Sequence, residues 1–170
     1  RLGAPVLEGV LAALECRGVQ RAAVTLHVGP GTFRPVTSEN VEQHRMESER
    51  YSVSTRTARA VQDALDEKRR VVAVGSTTVR TLETVAGERG RLDACEGRSE
   101  LFIHPPFDFR VTGAMLTNFH LPCSTLLMMI SAFAAPGEVE GGRDFVLAAY
   151  REAVRECYRF YSYGDCMLLV

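Results

Sequence analysis

His44, Glu47 and Glu49 fall within one polar stretch. An imidazole beside carboxylates can pass a proton at neutral pH, although a solvated loop explains the same residues. Thr117-Asn118-Phe119-His120-Leu121-Pro122 is dense in polar side chains at the end of an apolar run. Asn118 and His120 alternate, so in extended chain they point to the same side. A ligand site beyond a strand end and a buried structural turn both fit. Gly75-Ser76-Thr77-Thr78-Val79-Arg80 follows an apolar run and opens a helical pattern. Free amides and hydroxyls at a helix start receive an anion or carboxylate, and Arg80 adds charge; ordinary capping is the alternative. Gly29-Pro30-Gly31-Thr32 permits close backbone approach to a ligand or makes a plain turn. His27, just before it on an apolar strand, reads as a core histidine with its hydrogen bonds satisfied. Tyr158 to Asp165 brings three tyrosines together with Arg159 and a carboxylate, which suits stacking on a base or a solvated helix end.

The standard signatures fail. Neither GxGxxG nor GxxxxGK[ST] occurs, no nucleophile elbow is present, and metal binding lacks a further ligand at the right spacing.

These residues need elements to hold them. Leu7, Val10, Leu11 and Leu14 have helical spacing that ends at Gly18. Ala22 to Val28 reads as a short, largely buried strand, and 37–50 as polar loop or a short helical turn. Thr55 to Lys68 is helical, Arg70 to Gly75 is the clearest buried strand, and Val79 to Ala86 is a helix. Gly87 to Ser99 reads as a surface loop. Leu101 to Ile103 and Arg110 to Leu116 read as strands around Pro105-Pro106. Ser124 or Thr125 caps a buried helix through Phe133. A stripe from Val146 to Cys157 marks the last helix, and Met167 to Val170 a terminal strand. Strands alternating with helices predict an α/β domain over residues 1–170, in α/β/α layers around a mostly parallel sheet.

The 170 residues are 46% hydrophobic and 24% charged, a balance that can bury a core. A net charge of -1 supplies no global basic field, so any RNA contact needs a local patch. Five scattered cysteines without a CxxC pair suit reduced thiols in a cytoplasm. The longest apolar run, Leu126 to Ala135, is about half of a membrane span. A chain that opens inside a helical pattern without methionine is expected to be part of a longer protein.

Five blocks occur in order: TLHVGPGTFRPV (25–36), EQHRMESERYSV (42–53), VVAVGSTTVRTLE (71–83), LTNFHLPCSTLLMMISAFA (116–134) and YRFYSYGDCML (158–168). With the looser FIHPPF (102–107), they resemble the S-adenosylmethionine:tRNA ribosyltransferase-isomerase family of queuosine biosynthesis. The resemblance implies an α/β domain plus a separate small β-barrel, the barrel falling outside this chain. It implies transfer and isomerisation of the ribosyl group of S-adenosylmethionine onto 7-aminomethyl-7-deazaguanine in tRNA, giving epoxyqueuosine, adenine and methionine. S-adenosylmethionine is then the cosubstrate, no metal takes part, and the partner is precursor-bearing tRNA in the cytoplasm. No membrane is involved, and a monomer is favoured.

By the same resemblance, His120 and Asp165 are acid–base candidates, followed by His27 and His44. Thr77, Thr78 and Arg80 would receive a carboxylate or phosphate. Gly29, Gly31, Thr32 and Asn118 would line the ligand cleft, Glu49 would bind substrate, and Arg159 and Tyr163 would grip RNA or a ring. Glu47, Pro106 and Gly113 depart from the family pattern, which has histidine, glycine and aspartate there. The alternatives are a non-catalytic tRNA- or nucleoside-binding paralogue, or an S-adenosylmethionine-dependent transferase with another acceptor.

Overall fold

The computed structural model describes residues 4–29, 36 and 40–170. Among the described residues, six strands make two three-stranded sheets, accompanied by five α-helices. In the first, β1 (Val24–Leu26), β2 (Glu49–Val53) and β4 (Cys95–Ser99) lie in that order, both pairings antiparallel. In the second, β5 (Ala114–Asn118) is central, parallel to β3 (Val72–Val74) and antiparallel to β6 (Cys166–Leu169).

The α/β class holds, but the expectation of a mostly parallel sheet does not. Only the β3–β5 pairing is parallel. A parallel neighbour needs a long crossover, and α3 (Ser76–Arg89) lies on the route from β3 to β5. The route from β5 to β6 runs through two helices, α4 (Thr125–Ala134) and α5 (Gly142–Arg155), which pack on each other and return the chain antiparallel.

Each sheet has its own core. Tyr51 and Val53 of β2 pack with Ala58 and Val61 of α2 (Thr55–Asp66) and with Leu82, Val85 and Ala86 of α3. Ala73, Met115, Met129, Ile130, Val146 and Tyr150 form the second cluster, around β3, β5, α4 and α5. Val79, one turn before Leu82, belongs to this second cluster, so α3 is shared by both cores. The remaining helix, α1 (Ala4–Cys16), ends as expected before Gly18, which has φ 77°.

Several strand expectations change. The first strand shrinks to Val24–Leu26 and is at most half-buried, because one side of this edge strand faces solvent. The apolar run 70–75 buries only Ala73; Val72 and Val74 are 52% and 59% exposed on the opposite face. The stretch 87–99 read as a surface loop contains β4, and β2 begins in the last two residues of the polar stretch 37–50; their register is supplied by pairing with each other. Residues 101–103 are not a strand, and β5 lies later than expected.

Candidate functional site

Glu49 opens β2, and its side chain is almost wholly buried. One carboxylate oxygen accepts the Gly29 N–H at 2.8 Å; the other accepts Arg80 Nη1 at 2.7 Å. Three elements meet there: the turn after β1, strand β2 and helix α3. A buried carboxylate is tolerated because a guanidinium and a backbone amide replace its water.

Beside this pair, Met46, Arg80, Phe102, Ile103 and Thr125 line a small cavity of about 10 Å3, room for about one water. Thr125, in the first turn of α4, is 4% exposed, and its hydroxyl has no hydrogen-bond partner among the described residues. Ser124 caps that helix by accepting the Leu127 N–H. His44 packs edge-on to Phe102 with centroids 5.0 Å apart, and His104 lies on the same ring at 4.8 Å. Phe102 and His104 were not singled out from the sequence, where their only signal was the loosely matching 102–107 block; Thr125 was read only as a possible helix cap within the 116–134 block.

The threonines opening α3 are partly committed. Gly75 precedes it with φ 90° and no side-chain cap. Thr78 donates its hydroxyl to the Val74 carbonyl at 2.8 Å, so it is less available to a ligand than expected. Thr77 stays half-exposed at the helix start.

The four acid–base candidates have different surroundings. His27 is exposed, not in a core, because β1 turns that side to solvent. His120 is buried, shares a 2.9 Å hydrogen bond with Thr117 Oγ1, and donates its backbone N–H to Tyr150 Oη at 2.8 Å. Burial pushes its imidazole pKa down to about 4, so near neutral pH it is the neutral imidazole and lacks the imidazolium proton that a general acid would give. Asp165 accepts from Arg159 Nε at 3.0 Å, Arg159 Nη2 at 2.6 Å and the Arg159 backbone N–H at 2.7 Å. That guanidinium and amide hold its carboxyl well below the usual carboxylate range. It is an ion-pair partner, poorly suited to proton transfer.

Arg159 and Tyr163 lie together instead, with Leu121, Phe160 and Tyr161, along an open cleft of about 460 Å3. Asn118 reaches the same region by donating Nδ2 to the Tyr161 carbonyl at 2.8 Å. Gly31 and Thr32 fall outside the described residues. Among the described residues, no group of three His, Cys, Asp or Glu could hold a metal ion, and no helix is long and apolar enough to cross a membrane.

A family model described as queuosine biosynthesis protein matches residues 3–169. The chain belongs to that family. Two similar family members are S-adenosylmethionine:tRNA ribosyltransferase-isomerases: one from Thermotoga maritima, 52% identical over 92% of this chain, and one from Syntrophotalea carbinolica, 49% identical over 95%. The chain spans 44% and 45% of these relatives. A crystal structure of the S-adenosylmethionine tRNA ribosyltransferase from Thermotoga maritima superposes with a TM-score of 0.73 at 42% identity. It covers 95% of this chain and 49% of that one. Of the positions departing from the family pattern, Glu47 and Pro106 are exposed. Gly113 sits at the entry to β5, where a Cβ would come within 3.1 Å of the flexible Arg70 side chain.

Proposed function

We propose that this chain is an α/β part of a tRNA-modifying transferase-isomerase. The whole protein would move the ribosyl group of S-adenosylmethionine onto 7-aminomethyl-7-deazaguanine in tRNA and isomerise it to epoxyqueuosine, releasing adenine and methionine. The supporting observation is the 52% identity, over 92% of the chain, with a relative named for that reaction. Acting on tRNA, the protein belongs in the cytoplasm, with S-adenosylmethionine as cosubstrate.

The reaction needs a base for a proton beside the sulfonium, acid assistance for departing adenine, and polar groups for the methionine moiety. Glu49 and Arg80 are assigned as the rigid wall of this site: their charges answer each other and hold the Gly29 turn against α3. Thr77 and the first-turn amides of α3 are assigned to the methionine carboxylate. His44, half-exposed and supported by Phe102, is the favoured proton-transfer group in place of His120 and Asp165.

The test is mass spectrometry of nucleosides from precursor-bearing tRNA incubated with the protein and S-adenosylmethionine, while free adenine is followed. Epoxyqueuosine formed with stoichiometric adenine is the expected result. Folded protein joined to the amino-terminal half of the Thermotoga maritima relative that yields neither product would refute the reading. A ribosylated product on some other acceptor would point to a different transferase.

A further inference from the structure

The outer face of the first sheet carries charges in an arrangement that a sheet ordinarily avoids. In β2, Glu49 turns inward to the wall of the candidate site, so its neighbour Arg50 points out. The antiparallel register sets Arg50 directly opposite Arg98 of β4. On the other side, the His27 N–H donates to the Arg50 carbonyl at 2.8 Å, which continues the β1–β2 ladder and brings His27 level with Arg50. All three residues are exposed. They form one row across three strands, at about 4.8 Å per strand.

Like charges directly opposite each other destabilise a sheet, and no carboxylate offsets them here. Among the described residues neither arginine forms a salt bridge, and Glu96, the acid on the same face of β4, lies opposite Ser52. Arg98 is held all the same: Ser48 accepts its Nε–H on the hydroxyl and its Nη2–H on the carbonyl, both at 2.8 Å. A guanidinium oriented in advance, with no carboxylate on it, loses little freedom in meeting an anion. Other exposed arginines, among them Arg69, Arg155 and Arg159, already pair with carboxylates.

We propose that the His27–Arg50–Arg98 row binds the phosphodiester backbone of RNA, the arginines meeting phosphate oxygens and the imidazole adding a donor. The inference rests on the reading above, in which the substrate is a tRNA; a chain of net charge -1 needs such a local patch. The row ends two residues before Gly29, whose amide the Glu49 carboxylate holds, so RNA lying on it reaches the edge of the candidate site.

Fluorescein-labelled precursor-bearing tRNA is titrated with the protein at several salt concentrations, and anisotropy gives the dissociation constant. Arg50→Gln and Arg98→Gln are each expected to weaken binding and to lower the slope of log affinity against log salt by about 0.7 to 0.9. Arg50→Lys and Arg98→Lys keep the charge and most of the slope. A double variant Arg50→Gln/Arg98→Gln with the parent's slope overturns the proposal. So does folded parent protein that leaves the tRNA unbound, or an equal loss of slope in Arg151→Gln on α5. Poly-L-glutamate that displaces the tRNA at equal charge would identify an acidic peptide as the partner instead. Weakened binding in the variants, with no epoxyqueuosine from the parent, would sink only the proposed reaction. Epoxyqueuosine formed by the double variant with an unaltered KM for tRNA would sink only the row.

Discussion

Glu49 assigns each of its carboxylate oxygens a different donor, so the wall of the candidate site depends on charge balance in a dry place. Removing one member of a buried charge pair typically costs about 3–5 kcal/mol. Arg80→Met or Glu49→Ala is therefore expected to lower the urea unfolding free energy by about that much. The double variant Glu49→Gln/Arg80→Met should recover part of the loss. His120 gives a pH signature. Its folded pKa of about 4 lies below the ordinary 6.5, so the unfolded chain binds the extra proton between those values. The contribution is fully present above about pH 6.5 and is lost as pH falls through about 4. It amounts to about 3 kcal/mol at most. Urea titrations of the parent should steepen in acid, and His120→Gln should flatten that slope; equal slopes would place His120 in water. Both residues stood out in the sequence, but their roles did not. Nothing in a string distinguishes an imidazole sealed behind Tyr150 from one open to a substrate.

Helices were the more legible elements, because α2, α4 and α5 each bury one stripe at helical spacing. Strand β4 was not, since Cys-Glu-Gly-Arg-Ser lacks β-branched residues and contains a glycine. The structure supplies the reason. Gly97 pairs with Tyr51, and a Cβ there would come within 2.6 Å of the tyrosine hydroxyl and 2.7 Å of Cζ. The aromatic ring covers the strand in place of a side chain. Gly97→Ala should cost about 1–3 kcal/mol by forcing that ring aside, and Tyr51→Ala in the same chain should relieve much of the clash. Another hidden support is Glu83 on α3, whose carboxylate accepts the backbone N–H groups of Arg110, Val111 and Thr112 at 2.8, 3.2 and 2.9 Å. These bonds set the approach to β5, and therefore the strand end that carries Asn118 and His120. Glu83→Ala is expected to destabilise by about 3 kcal/mol or more, with faster hydrogen exchange at those three amides. Retained protection there would mean the approach is fixed by something else.

Across the whole molecule, α3 is the member common to both cores, so changes at the Glu49–Arg80 wall are felt by both sheets. The second sheet covers one face and leaves the other open. Val74, Leu116 and Leu168 form one cross-strand row, and Val74 and Leu168 are each 59% exposed. An apolar row of this kind in water should bind an environment-sensitive dye without denaturant. Val74→Thr with Leu168→Thr should reduce that signal at unchanged helicity, whereas an undiminished signal would locate the dye elsewhere. The sequence marked these strands by their apolar runs, yet a run of valines does not reveal which face lacks a cover. The topology also bears on how fast the chain assembles. No two strands adjacent in the described chain pair as a hairpin: Val72 finds Ala114, Met115 finds Leu169, and Tyr51 finds Gly97. Each ladder must close a long loop before its first bond forms, and that entropy is lost early while the gain comes late. Refolding should therefore run on the slow side for this chain length, with helical signal recovering ahead of sheet.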